Sequence, residues 1–444
     1  GTSIRAQITG LTCRGMQYIY QSFLTGTSSP TYFIRVGISG AASVAAHNVY
    51  IDDIRVQKTR PYGVAVGPPS WDTANFPDIN RYGAAPNSIV KNGSLVQGSG
   101  RADWAHGIFV SGSHNVEFTN LTITVYGANA QNISAPDNAR SNLAKIHDNT
   151  LNNNVVFITS RDNLDGAVIK WRGSPASYGH LIYNNVINGG IQGGIFVSGN
   201  TTAPTEIYNN TISLNSKYTN DFAIGVGTNN LVHDNTINCG SGNNSCRGIF
   251  TGGNASGTKI YNNTISVQEL KRNQEYNGCE AGGAYGIQVE VSSNIEVYGN
   301  TITANADQCE AHAFRTNPYE PGGTTSGSIY VHDNIFNAVK ISGSSPIAAS
   351  VKINEIPTST ILRIENNVWN TNSRWLHAEG GVLLVDSLVE FKSNTFNTGP
   401  NLTSPFRPFY VYNWNNPACS IYLKDIKFID NKYPDLVTEN LFKN

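Results

Sequence analysis

The sequence predicts an all-β protein in which short strands are wound into a coil. The phrase IYNNTIS occurs twice, at Ile207–Ser213 and Ile260–Ser266, and VHDNTIN at Val232–Asn238 is a looser copy. Repetition of one phrase at intervals of some 25 to 37 residues indicates a repeat architecture. Within each copy, apolar and polar residues alternate over short β-branched stretches, which is the period of a strand and not of a helix.

The repeat can be followed by one apolar anchor in each copy, two positions after the asparagine of NN or DN. A unit of some 25 residues with insertions fits a coil of short strands better than a propeller blade of about 40 residues. Aromatic anchors in the last copies predict a wider coil near the C-terminal end, with a buried tryptophan at position 369. The anchors are Leu95, Ile123, Leu151, Ile187, Ile212, Ile237, Ile265, Ile302, Phe336, Trp369, Phe396 and Phe428.

An asparagine precedes the anchor in successive copies, and its chemistry indicates a structural role. Asparagine tolerates left-handed backbone angles and hydrogen-bonds neighbouring backbone groups, so it suits a sharp corner between strands. Stacked about 4.8 Å apart, such side chains can hydrogen-bond to one another as a ladder. The predicted ladder contains Asn149, Asn185, Asn210, Asn235, Asn263, Asn300, Asn334, Asn367 and Asn394.

Composition narrows the classes of partner. The 444 residues carry a formal net charge of -1, and 14% of them are charged. A near-neutral chain offers no electrostatic attraction for nucleic acid or an anionic membrane surface. No apolar run approaches the roughly 20 residues that span a bilayer. Because Met16 is the sole methionine, Gly1 is expected to be the start of a processed or truncated chain.

Cysteines and asparagine sequons favour a secreted, extracellular glycoprotein. Cys239 and Cys246 bracket GSGNNS and could close a small loop, whereas Cys279 and Cys309 each open a CEA triplet. Pairing of these cysteines fits an oxidising compartment, and buried free thiols are the alternative. The Asn-x-Ser/Thr sites carry little weight alone, because an Asn- and Thr-rich repeat produces them by chance.

The phrases VYGNTIT, VHDNIFN and IENNVWN, with VHDNTIN, resemble the repeats of right-handed parallel β-helix proteins of the pectate-lyase-like superfamily. The resemblance covers roughly Ser88 to Asn431 and implies a single right-handed parallel β-helix of about a dozen coils. That superfamily contains polysaccharide lyases, glycoside hydrolases, epimerases, phage tailspikes and non-catalytic surface proteins. No subfamily's catalytic signature is present here, so the resemblance assigns no catalytic residue.

Four segments are expected along the chain. Residues 1–58 form a β-rich N-terminal segment, which is either an early turn of the coil or the end of a small β-sandwich. Residues 59–87, which include a proline-rich stretch, read as a connector. The parallel β-helix occupies 88–432, and 433–444 form a C-terminal tail.

Residues that point outward from the strand after each corner are expected to carry the chemistry. Inward pairs such as Ala167/Ile169 and Ile195/Val197 leave one outward residue between them. The outward column changes from apolar to polar residues after Phe250. Its apolar half, with Phe109, Phe196 and Phe250, predicts a surface that is covered by another copy of the chain or by the N-terminal segment. The predicted column is Phe109, Val168, Phe196, Gly225, Phe250, Gln288, Arg315, Lys352, His377 and Tyr410.

The polar half of the column suggests β-elimination from a uronate-containing polysaccharide. Arg315, Lys352 and His377 should lie about 5 Å apart on adjacent coils, and like-charge repulsion would depress the pKa of the lysine. The lysine could then act as a base while arginine neutralises a carboxylate. Outward charges of this kind are expected to contribute little to folding. The predicted substrate-binding residues are Gln288, Glu290, His312, Asn317, Asn354, Glu379, Tyr410 and Tyr412. A solvated charged ladder is the alternative.

Hydrolysis would require two carboxyl groups about 5–5.5 Å or about 6.5–9.5 Å apart. Glu290 and Glu379, three coils apart at about 14 Å, are too distant. Glu280 and Glu310 would be held on neighbouring coils by a Cys279–Cys309 bridge and are the candidate catalytic pair. The repeated CEA triplet could instead record a disulfide brace only.

A second charged cluster lies at Ser160–Gly173, where Trp171 is expected to point into the core. It could bind an acidic sugar or form a salt-bridged loop, through Arg161, Asp162, Asp165, Lys170 and Arg172. No cofactor motif is recognised; calcium could bind through Asp, Glu and Asn oxygens, although no spaced calcium loop is found. The function predicted is a secreted enzyme that cleaves polysaccharides, and the alternative is a non-catalytic extracellular β-helix such as an adhesin, tail-fibre or filament subunit.

Overall fold

A computed structural model describes discontinuous parts of the chain, all of them within a unit that extends from Tyr62 to Asn444. The N-terminal segment 1–58 and nearly all of the C-terminal tail lie outside the described residues. The described ranges are 64–66, 87–97, 106–110, 112–126, 129–135, 141–155, 166–171, 178–199, 201–214, 221–240, 246–252, 255–269, 283–290, 294–307, 310–317, 327–341, 348–354, 360–379, 388–398, 409–412 and 426–433.

Every regular element in these ranges is a β-strand, and none of their residues forms a helix that is long and apolar enough to cross a membrane. The strands are β1 (Val64–Val66), β2 (Ile89–Gln97), β3 (Ile108–Val110), β4 (Glu117–Val125), β5 (Ile133–Ala135), β6 (Lys145–His147), β7 (Thr150–Asn153), β8 (Ala167–Trp171), β9 (Leu181–Tyr183), β10 (Val186–Gly189), β11 (Gly193–Val197), β12 (Thr205–Tyr208), β13 (Thr211–Leu214), β14 (Asp221–Val226), β15 (Asn230–His233), β16 (Thr236–Cys239), β17 (Cys246–Thr251), β18 (Lys259–Tyr261), β19 (Thr264–Glu269), β20 (Gly283–Glu290), β21 (Ile295–Tyr298), β22 (Thr301–Ala306), β23 (Glu310–Asn317), β24 (Gly327–His332), β25 (Ile335–Lys340), β26 (Ala348–Asn354), β27 (Thr360–Glu365), β28 (Val368–Thr371), β29 (Arg374–Glu379), β30 (Leu388–Lys392), β31 (Thr395–Thr398), β32 (Phe409–Tyr412) and β33 (Ile426–Ile429).

The strands form two large parallel sheets. One sheet has 12 strands in the order β1-β3-β5-β8-β11-β14-β17-β20-β23-β26-β29-β32, and the other has 21 strands. Within the larger sheet two ladders run side by side, one from β6 through β9 and β12 to β33, the other from β7 through β10 and β13 to β31, and β4 belongs to both. An all-β chain with long parallel sheets is what the repeat predicted. Strand β1 lies within the segment predicted as a connector and pairs with β3.

The anchor residues stand opposite one another on consecutive strands, as the repeat predicted. Ile187 faces Ile212, and Phe336 faces Trp369. Trp369 is fully buried, in agreement with the prediction. The prediction of the last anchor was wrong, because Phe428 lies on the strand before the corner, opposite Phe391, and not on the strand after it. Tyr433 takes the place after the corner, where its ring stacks 5.2 Å from that of Phe396.

The predicted asparagine ladder is present and extends one residue further, to Asn431. In each step the side-chain Nδ2 of one asparagine donates to Oδ1 of the next, at 2.9–3.1 Å. The same amide also reaches backbone carbonyls; Nδ2 of Asn210, for example, donates to the carbonyl of Ile182 at 2.8 Å. These buried side chains thus satisfy backbone groups that the corner would otherwise leave unpaired.

The left-handed backbone at the corner belongs to the residue before each ladder asparagine, so one expected role is divided between two residues. Asn209, Asp234 and Asn262 have φ of 53°, 54° and 55°, and they precede Asn210, Asn235 and Asn263. Asparagine, aspartate and glycine are the residues that adopt this conformation at least cost. The doubled NN or DN therefore encodes a turn residue followed by a ladder residue.

Inward pairs on the 12-stranded sheet follow the prediction, with one correction of register. Ile195 and Val197 face Ile169 and Trp171, so the inward pair on β8 lies two residues later than predicted. Trp171 is fully buried in the core, as expected, and Val168 also belongs to the core and not to the outward column.

A disulfide bond between Cys239 and Cys246 joins the end of β16 to the start of β17. This confirms the pairing predicted from the short spacing. Cys279 and Cys309 lie outside the described residues.

Candidate functional site

The predicted polar column is present on the 12-stranded sheet. Gln288 faces Phe250 on one side and Arg315 on the other. Arg315 faces Lys352, and Lys352 faces His377. The change from apolar to polar after Phe250 therefore occurs at adjacent positions of neighbouring strands.

A second column runs beside the first; it contains the predicted His312 and two residues that the sequence analysis missed, Arg247 and Tyr285. Tyr285 faces Arg247 on β17 and His312 on β23. These residues lie three positions before Phe250, Gln288 and Arg315, so a strict alternation of two could not align the columns. A glycine or alanine follows Arg247, Tyr285 and His312, and this recurring small residue was the sequence signal that could have revealed the second column. Gly286 shows why, because a Cβ there would overlap the carbonyl oxygen of Ala313.

Most side chains of the two columns are buried. His312 and His377 are fully buried, Lys352 is 4% exposed, and Arg315 is partly exposed. The alternative of a solvated charged ladder does not describe them, because a solvated ladder would expose its charges. Buried ionisable groups cost stability unless they are paired and hydrogen-bonded, so their concentration at one place makes this cluster the candidate site.

Glu310 joins the two columns. Its Oε2 lies 3.0 Å from Nε2 of His312, and Nζ of Lys352 donates to Oε1 at 3.0 Å and to Oε2 at 2.8 Å. Burial favours the neutral acid, but the hydrogen bond with His312 and the charge of Lys352 outweigh burial and hold the pKa of Glu310 well below its usual range. Glu310 is therefore a carboxylate at neutral pH.

His312 lies between two acceptors. Its Nδ1 is 3.3 Å from the carbonyl oxygen of Ala349, and its Nε2 faces Glu310. Burial lowers the pKa of His312 to about 4, although the hydrogen bond with Glu310 opposes this. The neutral ring has one N–H, so it can serve one of the two acceptors at a time. Its plane stacks on Tyr285 with centroids 5.6 Å apart, which holds the ring in place.

Two guanidinium groups lie over aromatic rings in the cluster. Arg315 is 4.5 Å from the ring centroid of Tyr285, and Arg247 is 4.5 Å from that of Phe250. Burial raises the pKa of Tyr285, and the charge of Arg315 opposes that rise. Burial also lowers the pKa of Arg247 to about 10, with the carboxylate of Glu290 opposing, so Arg247 stays charged at neutral pH. Each cation thus lies over the face of an aromatic ring, where cation–π attraction stabilises it.

Three side chains of the cluster bring metal-ligand atoms together. Glu310, His312 and His377 each offer one ligand atom, and these atoms lie within 4.8 Å of one another. Calcium prefers a shell of oxygen ligands, whereas imidazole suits zinc, copper, iron and nickel. The expectation of calcium depended on Asp, Glu and Asn oxygens, whereas two of the three ligand atoms in this cluster are imidazole nitrogens.

Several predicted site residues are placed only in part. Asn317 faces Glu290, Glu379 faces Asn354 and Tyr412, and Tyr410 faces His377, all in the predicted register. The side chains of Asn317, Asn354, Glu379, Tyr410 and Tyr412 lie outside the described part of the structure. Glu280 lies in the segment 270–282, which is outside the described residues. Four residues of the second charged cluster are also outside them: Arg161, Asp162, Asp165 and Arg172.

The apolar half of the first column is shorter than predicted. Ser134 and Lys170 lie between Phe109 and Phe196, and Phe109 is buried. Phe196 and Phe250 are partly exposed, and the ring of Phe222 lies 5.9 Å and 6.0 Å from theirs. This apolar patch ends where the charged cluster begins.

Comparison with known proteins finds no family model, no curated protein and no solved structure that matches the chain. The chemistry open to the cluster therefore follows from its own residues. Arg315 can bind an anionic group, the network of Glu310, His312 and Lys352 can move protons, and the Glu310–His312–His377 group can hold a cation.

Proposed function

We propose that the two sheets are faces of one right-handed parallel β-helix of about a dozen coils. Consecutive strands β9, β10 and β11 each pair with the corresponding strand of the next repeat, β12, β13 and β14. Each repeat thus adds one strand to each of three ladders. Crossover connections between parallel strands are right-handed in nearly all proteins, which supports this hand.

We propose that the protein is a secreted enzyme that cleaves glycosidic bonds of a uronate-containing polysaccharide by β-elimination. The observation that carries the proposal is the ion pair between buried Lys352 and partly exposed Glu310, beside the partly exposed guanidinium of Arg315. Elimination needs a cation for the uronate carboxylate and a base near the carbon next to it, and in this proposal Arg315 and Lys352 take these two roles. The Cys239–Cys246 bond supports an oxidising, extracellular setting.

In this proposal Arg315 neutralises the substrate carboxylate. Pairing lowers the cost of the negative charge that develops on the carboxylate when the neighbouring carbon loses its proton. The guanidinium is planar and is oriented by the ring of Tyr285, 4.5 Å away, so it can meet the carboxylate with two parallel hydrogen bonds.

Lys352 removes the proton next to the carboxylate. The ammonium must first lose a proton of its own to water, because the carboxylate of Glu310, 2.8 Å away, has a pKa held well below its usual range and is a poor acceptor. The C–H bond at C5 breaks, its electron pair forms the C4–C5 double bond, and the bond from C4 to the leaving oxygen breaks. That oxygen is protonated by water, because His377, which faces Lys352 on the next strand, is fully buried.

Hydrolysis is less well supported. Glu290 and Glu310 are the carboxylates of the cluster among the residues whose side chains the structure describes. Glu310 faces Gly283, and Glu290 is seven residues further along β20 (290 − 283 = 7), so the two lie about 23 Å apart at about 3.3 Å per residue. This exceeds the 6.5–9.5 Å separation, roughly, of an inverting pair of carboxyl groups.

The test is a screen of uronate-containing and neutral polysaccharides with the full chain. Elimination produces an unsaturated uronate that absorbs in the ultraviolet, whereas hydrolysis produces reducing ends without that absorbance.

Arg315→Lys and Lys352→Met should each lower kcat/KM at least about 100-fold, since each removes a transition-state interaction. Arg363→Lys and Lys427→Met, exposed positions on the other sheet, are the matched controls. Product without the ultraviolet signal, or full activity in both site variants, would reject β-elimination at this site.

A second candidate is a non-catalytic extracellular β-helix that associates through its apolar outer patch, such as an adhesin, tail-fibre or filament subunit. Partly exposed Phe196 and Phe250 on either side of Phe222 favour it, because exposed aromatic rings are typical of interfaces. Sedimentation of the wild-type chain and of Phe196→Ser tests it. A dimer that dissociates in the variant, with no glycan cleaved, would favour this function over the enzyme.

A further inference from the structure

We propose that Glu310, His312 and His377 bind one divalent transition-metal ion of the zinc class. Two imidazole nitrogens and one carboxylate oxygen form a donor set that zinc commonly takes in proteins. The binding proposal does not depend on the cleavage of any glycan.

The fold brings the three ligands to one place. Glu310 and His312 are two positions apart on β23, so both side chains point to the same face of the sheet. His377 comes from β29, two strands away, and the strand between them carries Ala349 opposite His312. This small side chain leaves room for the two rings, whose centroids are 6.3 Å apart.

The distances are close to those of a metal centre. Zinc–ligand bonds of about 2.0–2.1 Å place tetrahedral ligands about 3.3 Å from one another. Nε2 of His312 and Oε2 of Glu310 are 3.0 Å apart, and all three ligand atoms lie within 4.8 Å of one another. Small side-chain rotations would therefore complete the site, without a change of backbone.

The surroundings of the ligands have the pattern of an outer shell. Nδ1 of His312 lies 3.3 Å from the carbonyl oxygen of Ala349, the kind of partner to which metal-bound histidines donate their second N–H. Donation from Nδ1 to this carbonyl would free the Nε2 lone pair for a metal, in place of the hydrogen bond that Nε2 makes with Glu310 in the metal-free site.

Lys352 sets the limit of the proposal. Its ammonium donates to both oxygens of Glu310, so it competes with a metal ion for the carboxylate. Each carboxylate oxygen has two lone pairs, so one oxygen can accept from Lys352 and also bind a metal. Three protein ligands leave at least one coordination position for water or substrate, as in catalytic zinc sites.

The experiment measures metal binding by the full chain in the absence of substrate. Protein stripped with a chelator is loaded with Zn²⁺ or Co²⁺, and bound metal is quantified after gel filtration. We expect one equivalent of zinc and, with cobalt, visible absorption bands of a four- or five-coordinate site. Competition against a chromophoric chelator gives the affinity.

Matched variants separate this site from other histidines. His377→Gln should weaken zinc binding at least about tenfold, because it removes one ligand, and loss of only a hydrogen-bond partner of a ligand already costs roughly 10–100-fold. His233→Gln, a half-buried histidine on the other sheet, should leave zinc binding unchanged. If the buried His377 variant does not fold, Glu310→Gln removes a ligand at a more exposed position and is expected to weaken binding similarly.

Three results would overturn the proposal: no zinc retained by the wild-type chain, equal affinity in the wild type and the folded ligand variants, or displacement of zinc by a modest excess of calcium. The last would indicate an oxygen-ligand site elsewhere. Glycan cleavage that survives complete metal removal would leave the binding result unaffected, so the two proposals can fail separately.

Discussion

Nζ of Lys352 lies 2.8 Å from Oε2 of Glu310 and 3.0 Å from Oε1, in an ion pair between residues 42 positions apart in the sequence. Lys352 is almost fully buried, and the Glu310 side chain is 22% exposed. The pair therefore supports the fold as well as the proposed chemistry. The expectation that an outward Lys352 contributes little to stability assumed exposure to water, and the buried side chain does not meet that assumption.

Breaking this pair on one side should destabilise the protein. Lys352→Met leaves the Glu310 carboxylate without its cation, and we expect a loss of about 2–3 kcal/mol, less than for a fully buried pair because water reaches Glu310. The double variant Lys352→Met/Glu310→Gln should recover most of that loss. Urea unfolding of the wild type, Lys352→Met, Glu310→Gln and the double variant measures it, and a loss in the double variant equal to the sum of the two single losses would show that the ion pair is not coupled.

The asparagine ladder should be essential to stability. Asn235→Ala removes the amide that donates to Asn263 and to the carbonyl of Ile207, and strands the groups that Asn210 donates. We expect a loss of about 1–3 kcal/mol in urea unfolding. Asn238→Ala, an exposed asparagine in the same repeat, should change stability by less than about 0.5 kcal/mol. Equal effects at the two positions would contradict a structural role for the ladder.

The aromatic C-terminal core should be sensitive to a cavity. Trp369 is fully buried, and its ring lies 4.7 Å from Phe396 and 5.7 Å from Phe391. Trp369→Ala should lower the free energy of unfolding by about 3–5 kcal/mol. Trp369→Phe keeps most of the volume and should cost less; a variant as stable as the wild type would show that the ring is not packed in solution.

Acid should destabilise the fold through His180. Burial lowers the pKa of this histidine to about 3, below its usual value of 6.5. Below pH 6.5, roughly, the unfolded chain binds a proton that the folded chain does not, so stability should fall from there towards pH 3, by several kcal/mol in total. Above that range His180 contributes no pH dependence.

The measurement compares unfolding of the wild type and His180→Gln from pH 7 to pH 4. The variant should lose less stability on acidification, although it is less stable at neutral pH because Nδ1 of His180 accepts from the backbone N–H of Ala144. His233→Gln, a half-buried histidine paired with Asp234, is the control. Parallel pH profiles for wild type and His180→Gln would contradict the prediction.

Much of the architecture follows from local patterns that repeat. An apolar anchor such as Ile212 and a ladder residue such as Asn210 recur in each copy, and stacking equal copies places like residues opposite one another. A strand whose register slips by one residue exposes its apolar side chains, so the pattern specifies the register. The outward column from Gln288 to His377 was predictable for the same reason. The register at β8 was not, because its repeat contains an insertion.

The sequence by itself determined the strands, their parallel order and the face that carries Arg315, Lys352 and His377, because these depend on a period of two within strands and on a repeated corner. Only the tertiary structure decided that Tyr285 and Arg247 join this face, and that Glu310 pairs with Lys352 and His312. It also decided that these groups are buried. Such features depend on side chains that reach across strands from positions tens of residues apart, and no local pattern encodes those distances.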